Sequence, residues 1–228
     1  MRVLAIETST MLGGIAIMEE EGLIAEIRLN VKTTHSERLM RGIDSALKLA
    51  NLGIGDIDAF CISLGPGSFT GLRIGLSTVK GFAFATGRPV VTVPTLDAFA
   101  WNFPFAIYPV CPMFDARKKE VYTALYEWHD GGFKKTRPEQ SVRPRDFIKD
   151  IEGPVIFAGD GARLYRDVIL SVKGQDAIFA PPQSDVPSPS AVAYLGLKKA
   201  MMGDFSDPMT ITPFYIRKSE AEIKFGSM

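Results

Sequence analysis

The sequence predicts an α/β protein of two unequal lobes with mixed sheets flanked by helices, on three observations. The first thirty residues hold three apolar runs joined by turn-length polar segments, a pattern that pairs as antiparallel neighbours. A strand, glycine loop, helix and strand then follow through Val93, and a crossover of that kind makes at least two strands parallel. Pro104 and Pro109 punctuate the passage into a second half, so the expected division is an amino-terminal lobe over 1–103 and a smaller carboxy-terminal lobe over 104–228.

The elements follow in order. Val3 to Ile6, Gly13 to Met18 and Gly22 to Leu29 are the three opening strands. Ser36 is placed to cap a helix running to about Ala50, with Leu39, Ile43, Leu47 and Ala50 at helical spacing and Met40 widening the apolar face. Ala59 to Leu64 reads as a buried strand, and a helix is expected from Leu72 to about Thr86, stopped by Gly87-Arg88-Pro89 before the strand Val90 to Val93. In the second half, Tyr108 to Met113 and Val121 to Tyr126 read as strands, with the Asp130-Gly131-Gly132 turn after them favouring antiparallel pairing. Val155 to Ala158 is a short strand ahead of Gly159-Asp160-Gly161 and a helix; Ser190 to Met202 is helical, and Ile211 to Ile216 is expected to close a sheet. The tail from Lys218 is polar and expected to be poorly ordered.

Composition limits the function classes. At 228 residues and 46% hydrophobic the chain is long and apolar enough to build a substantial core, which argues against disorder or polar repeats. Its 26 basic residues balance 26 acidic ones, so no global positive field draws it to nucleic acid and a strong direct grip on tRNA or DNA is not expected. Two cysteines without CxxC spacing and two distant histidines, His35 and His129, suit neither a disulfide scaffold nor a zinc site; they point to a reducing compartment, the cytoplasm. The amino terminus runs straight into Glu7, with no leader expected, and no stretch approaches the length needed to cross a bilayer.

Four places carry polarity that chemistry uses. The loop Gly65-Pro66-Gly67-Ser68-Phe69-Thr70-Gly71 stands between a strand and a helix, so it is either an anion cradle or a tight turn that lets the helix pack closely. It lacks the lysine of a Walker loop and the spacing of a dinucleotide fingerprint. His35-Ser36-Glu37 resembles a triad only in composition, since a triad converges from separate elements; a helix cap accounts for it more simply. Asp115-Ala116-Arg117-Lys118-Lys119-Glu120 is a charged strand connection that can grip a carboxylate or phosphate or serve only as an exposed loop. Glu7-Thr8-Ser9 and Gly159-Asp160-Gly161 are two strand-end turns, each able to face a phosphate, and Glu7, Thr8, Ser9 and Asp160 are the weak cofactor-binding candidates. Gly75 and Gly81 cost helix propensity, a cost tolerable where another backbone approaches closely.

Taken together, Leu4-Ala5-Ile6-Glu7-Thr8-Ser9, His35-Ser36-Glu37, the long run from Gly65 through Gly75, Lys80-Gly81, Asp115-Ala116-Arg117 with Glu120-Val121-Tyr122, and Gly159-Asp160-Gly161 closely resemble the TsaB (YeaZ) family. The resemblance spans most of the chain and is densest before residue 125. It implies an actin-like ATPase fold (the ASKHA, ribonuclease-H-like class) of two lobes, and an accessory role beside a TsaD-like catalytic subunit that transfers a threonylcarbamoyl group to tRNA. Glu7 stands where the family usually has Asp, and Ser9 where ATP-binding relatives have glycine, which disfavours close nucleotide approach. A single His35 does not reproduce the paired metal histidines of TsaD.

The resemblance thus implies no catalytic residue, no metal ligand and no intrinsic cofactor, with ATP and metal held by partner proteins. It implies a TsaE-like ATPase as a further partner, a homodimer in isolation, contact with tRNA through the complex, and no membrane association. The implied partner surface is the pair of helices carrying Leu39, Met40, Ile43, Leu47, Leu72, Arg73, Leu76 and Phe82. The competing class is an independent metal- or ATP-dependent enzyme, peptidase-like or sugar-kinase-like, with Glu7 or Asp160 as its available carboxylates.

Overall fold

A computed structural model of the chain describes residues 1–30 and 35–217, and side chains for 1–30 and 39–217. The expected Ser36 cap, the His35-Ser36-Glu37 side chains and the tail from Lys218 lie outside the described residues. Two compact units form: Met1–Ala98 with Pro187–Phe214, and Phe99–Val186 with the chain from Tyr215 onward.

The first unit is built on β1 (Arg2–Glu7), β2 (Gly13–Glu19), β3 (Gly22–Leu29), β4 (Ala59–Ser63) and β5 (Val90–Val93). They lie in the order β3-β2-β1-β4-β5, the first three antiparallel and β1, β4 and β5 parallel. Strand β1 is central, so Val3 to Ile6 are fully buried on both faces and read as a continuous apolar run. Helices α1 (His35–Leu49) and α2 (Phe69–Thr86) cover the face of Leu4, Ile6, Phe60 and Ile62. The opposite face receives α7 (Pro189–Met201), where Gly196 lies so close to Cys61 that a Cβ would overlap its sulfur.

That last helix corrects the expected boundaries. Residues 187–214 pack with the first unit and not with 104–186, because α7 supplies the second apolar cover that a sheet buried on both faces requires. Glu26 on β3 ties it down, accepting the Ser190 N–H at 2.9 Å and the Ser188 hydroxyl at 3.1 Å. The expected strand over Ile211 to Ile216 does not form; Ser206 bridges to Val90 and the Phe214 N–H donates to the Leu64 carbonyl at 2.8 Å, so the segment is a strap. Helix α2 begins at Phe69, three residues before its expected start, because the Ser68 hydroxyl accepts the Gly71 N–H at 3.2 Å and caps it. A six-residue α3, Thr95–Ala100, follows β5.

The second unit repeats the topology. Its strands β6 (Val110–Arg117), β7 (Glu120–His129), β8 (Gly132–Val142), β9 (Val155–Ala158) and β10 (Ala177–Phe179) lie in the order β10-β9-β6-β7-β8, with β6, β7 and β8 antiparallel and β6, β9 and β10 parallel. The core on one face joins Cys111, Met113, Val121 and Phe157 to Phe147 and Ile148 of α4 (Pro144–Ile148), Ala162 of α5 (Asp160–Leu164) and Ile169 of α6 (Arg166–Lys173).

The β6–β7 hairpin turns through three consecutive left-handed residues, Arg117 (φ 62°), Lys118 (φ 52°) and Lys119 (φ 66°). Arg117 pairs with Glu120 across a two-residue loop, the geometry that asparagine and glycine ordinarily supply. Two lysines there cost about 1 kcal/mol each relative to glycine.

Candidate functional site

The Glu7-Thr8-Ser9 turn leaves the central strand of the first sheet at the edge where β4 ends in Ser63, one register step beyond the Ile6–Ile62 pair. All three turn residues are only 1% exposed. What covers them is α2. A Cβ on Gly67 would overlap the Ser9 carbonyl oxygen, one on Gly71 the Thr8 carbonyl oxygen, and one on Gly75 the Thr8 hydroxyl. The glycines therefore permit the helix and its leading loop to lie directly on the turn, as a close-packed joint.

The loop's donors are committed to the same joint. The Ser68 N–H donates to the Ser9 carbonyl at 2.6 Å, the Gly71 N–H to Ser68 Oγ, and the Gly65 N–H to Thr95 Oγ1 at 3.0 Å. An anion at the start of α2 would have to displace these bonds, so of the two roles open to the loop the structure builds the tight turn.

Inside the joint, the Glu7 carboxylate accepts the Ser9 N–H at 2.6 Å. Burial pushes its pKa above the ordinary glutamate range; the Ser9 and Ser63 hydroxyls lie close enough to offset that in part, without reaching hydrogen-bond geometry. Thr8 Oγ1 is likewise buried without a partner among the described residues. A carboxyl in this setting favours its protonated form and lacks an open approach for a substrate. Ser63 is the member that motif reasoning missed, since nothing in an apolar strand's last residue signals its neighbour across the sheet.

Asp160 belongs to the second unit. Its Oδ1 accepts the Asp115 N–H at 3.0 Å, so it fastens the end of β6 to the start of α5. Asp115 in turn accepts the Arg117 N–H at 2.9 Å. Asp185 takes the neighbouring Gly159 N–H and the Arg163 guanidinium. Each carboxylate has a structural task. Among the described residues no group of three or more His, Cys, Asp or Glu could hold a metal ion, and no helix is long and apolar enough to cross a membrane. Cys61 and Cys111 are buried, and burial pushes both thiols up to about 12.

The residues expected at a partner surface separate into two sets. Leu39, Ile43, Leu72 and Leu76 are buried within the first unit, which corrects their assignment: they occupy the inward stripes of α1 and α2 and serve the core. Leu47 and Phe82 are half-buried against the same core, the Phe82 ring stacked on Phe60 at 5.5 Å between centroids. Met40 and Arg73 stay on the surface. Phe84, which the sequence did not single out, is 89% exposed on α2, and the Cα of nearby Gly81 faces open space. The clue was available, because Phe84 falls one position past the inward Leu76, Val79 and Ala83 stripe.

Comparison with known proteins bears on these features together. The family model described as TsaD, tRNA N6-adenosine threonylcarbamoyltransferase, matches residues 23–225. The tRNA threonylcarbamoyladenosine biosynthesis protein TsaB of Bacillus subtilis is 33% identical over 228 residues, 99% of this chain and 98% of that protein. Among solved structures, YeaZ from Pseudomonas aeruginosa superposes with a TM-score of 0.79 at 24% identity, covering 94% of this chain and 99% of the other. The activator of 2-hydroxyisocaproyl-CoA dehydratase from Clostridium difficile, solved with bound ADPNP, shares the fold at a TM-score of 0.52 and 8% identity, covering 94% and 100%. The repeated sheet order and these neighbours make the architecture that of an actin-like ATPase.

Proposed function

Because the chain belongs to the TsaB (YeaZ) family, we propose that it is a non-catalytic accessory subunit in tRNA threonylcarbamoyladenosine biosynthesis. It pairs with a TsaD-like transferase and supports transfer of the threonylcarbamoyl group to the adenosine beside the anticodon, contributing no nucleophile, metal ligand or base. The observation that carries this reading is the closure of Glu7-Thr8-Ser9 beneath Gly67, Gly71 and Gly75. A turn sealed by helix packing supports a scaffold better than a reaction centre.

Pairing uses the outward face of α1 and α2. Met40, Arg73 and Phe84 stand on it, and Gly81 offers a place where a partner helix approaches closely. Covering Phe84 alone contributes about 2 kcal/mol. The same face serves a homodimer when the transferase is absent. ATP and metal belong to the partner proteins, a TsaE-like ATPase among them, and the assembly works in the cytoplasm, where its tRNA is.

The test is reconstitution of tRNA modification from adenylate synthase, transferase, ATPase, threonine, bicarbonate, ATP and unmodified tRNA, with and without this chain. Product is expected only when the chain and the transferase are both present. Phe84→Asp should leave circular dichroism and Tm unchanged and weaken pairing with the transferase at least tenfold. Equal product without the chain would reject the role. Mg-ATP binding by the isolated chain that Glu7→Gln and Asp160→Asn both weaken would favour the enzyme class instead.

A further inference from the structure

Arg117, Lys118 and Lys119 are the only three consecutive basic residues in the sequence, and they form the tip of the β6–β7 hairpin. We propose that this tip contacts the phosphate backbone of tRNA; the proposal rests on the accessory role above and adds to it a direct nucleic-acid contact made by this chain.

The first support is conformation. All three residues hold positive φ, a state that glycine or asparagine adopts at lower cost, yet each position carries a long cation. Backbone strain of this kind gathers where a structure must present particular side chains. The second is rigidity. The Arg117 N–H donates to Asp115, the Asp115 N–H to Asp160, and the Arg217 guanidinium donates to the Ala116 carbonyl at 3.2 Å. The cations therefore stand on a braced frame. Although Arg117 pairs with Asp115 at 3.2 Å, its side chain stays 86% exposed.

The chemistry of the tip selects among partners. Protein interfaces depend on apolar or aromatic anchors in desolvated pockets, and the tip has none. Phosphate contacts need only cations at a protruding, solvated position. A chain of zero formal charge has no general field to substitute for this local one, so its removal has a readable effect.

The experiment uses the complete reconstituted complex and unmodified tRNA, comparing the wild-type chain with Lys118→Asn/Lys119→Gly and with Lys118→Glu/Lys119→Glu. The first variant keeps a turn-compatible pair and removes two charges, so folding is preserved. Half-saturating tRNA is expected to rise about 3- to 10-fold for the first and further for the second, with turnover at saturating tRNA unchanged. The slope of log affinity against log salt should flatten by about 1 to 2. Product that requires the chain but shows unchanged half-saturation and salt slope would overturn the tRNA contact alone. The same follows if the variants weaken binding to the transferase without tRNA, which would make the tip a protein contact. Product that ignores the chain altogether overturns the accessory role and this contact with it.

Discussion

The two units share a strand order and every strand direction, yet they treat corresponding places oppositely. In the first, the turn after the central strand is buried under an eighteen-residue helix whose glycines fit against it. In the second, the helix between β9 and β10 is split into five- and eight-residue pieces, α5 and α6, and the central strand continues into an exposed basic hairpin. One topology thus supports a closed joint and an open tip. The difference lies in which residues follow the strand: glycines in register on α2 permit contact with backbone, whereas consecutive lysines project into solvent. Fold alone says little about activity in such a repeat, because the function resides in these loops and helix faces.

The inward and outward faces of the first unit's helices give the sharpest break. Leu76→Glu places an unpaired charge in the core and is expected to cost about 4 kcal/mol or more, unfolding the chain at moderate temperature. Phe84→Glu, two turns along on the exposed side, should move stability by less than about 0.5 kcal/mol. Thermal melts by circular dichroism distinguish them; equal losses would mean that Phe84 is not a surface residue.

Next in size is the joint itself. Gly71→Ala sets a methyl group against the Thr8 carbonyl, a backbone atom that cannot rotate away, and should cost about 3 kcal/mol. Its counterpart Gly161→Ala meets Met113 backbone and a Val121 methyl at 2.9 Å, and the valine can yield, so about 1 to 2 kcal/mol is expected. Denaturant midpoints measure both. A smaller loss at Gly71 than at Gly161 would deny that the first unit is the more tightly closed.

Two carboxyls within the first unit carry opposite pH signatures. Burial raises the Glu7 pKa in the folded state, so the folded chain holds its proton longer than the unfolded chain does. Its stability contribution is complete below the unfolded value and is lost as pH rises towards the folded one. At Glu26 burial alone would raise the pKa, but Arg28 and the Ser190 N–H outweigh it and hold it low. That contribution is present above the unfolded value and is lost as pH falls through the folded one. Glu7→Gln should therefore flatten the alkaline side of the stability profile, and Glu26→Gln the acidic side. Urea titrations across pH 3 to about 9 read both slopes; identical profiles for the two variants would refute the assignment.

Much of this arrangement was legible in sequence where the pattern was strong and local. Val3 to Ile6, Ala59 to Leu64 and Val90 to Val93 announce buried strands by uninterrupted apolar runs, and the spacing of Leu39, Ile43, Leu72 and Leu76 places them on helices. The spacing could not say that those four point inward, since an interface face and a core face have the same period. Strand β8 was hidden by Lys134, Lys135, Arg137 and Pro138, because an edge strand facing solvent loses its alternation and uses charge and proline to block further pairing. The return of α7 to the first unit depends on long-range tertiary packing, which no local window contains. The resemblance supplied the family and the glycine run; the packing of Gly67, Gly71 and Gly75 on Thr8 and Ser9 needed coordinates.

The smallest expected effect concerns the open tip and has an unusual sign. Lys118→Asn/Lys119→Gly replaces two left-handed lysines with the residues that a two-residue hairpin favours. Glycine at the second position relieves the steric cost of positive φ while enlarging the entropy of the unfolded chain, and the two partly cancel. A gain of about 0.5 kcal/mol is expected, small beside the joint but opposite in direction to each core substitution. A stabilised chain that has lost affinity for tRNA would show that the lysines occupy the turn at the expense of folding. A destabilised one would instead make them structural, held by contacts that outweigh their strain, and would leave the first unit's glycine joint as the only place in the repeat where backbone geometry departs from the ordinary for a reason outside the turn itself.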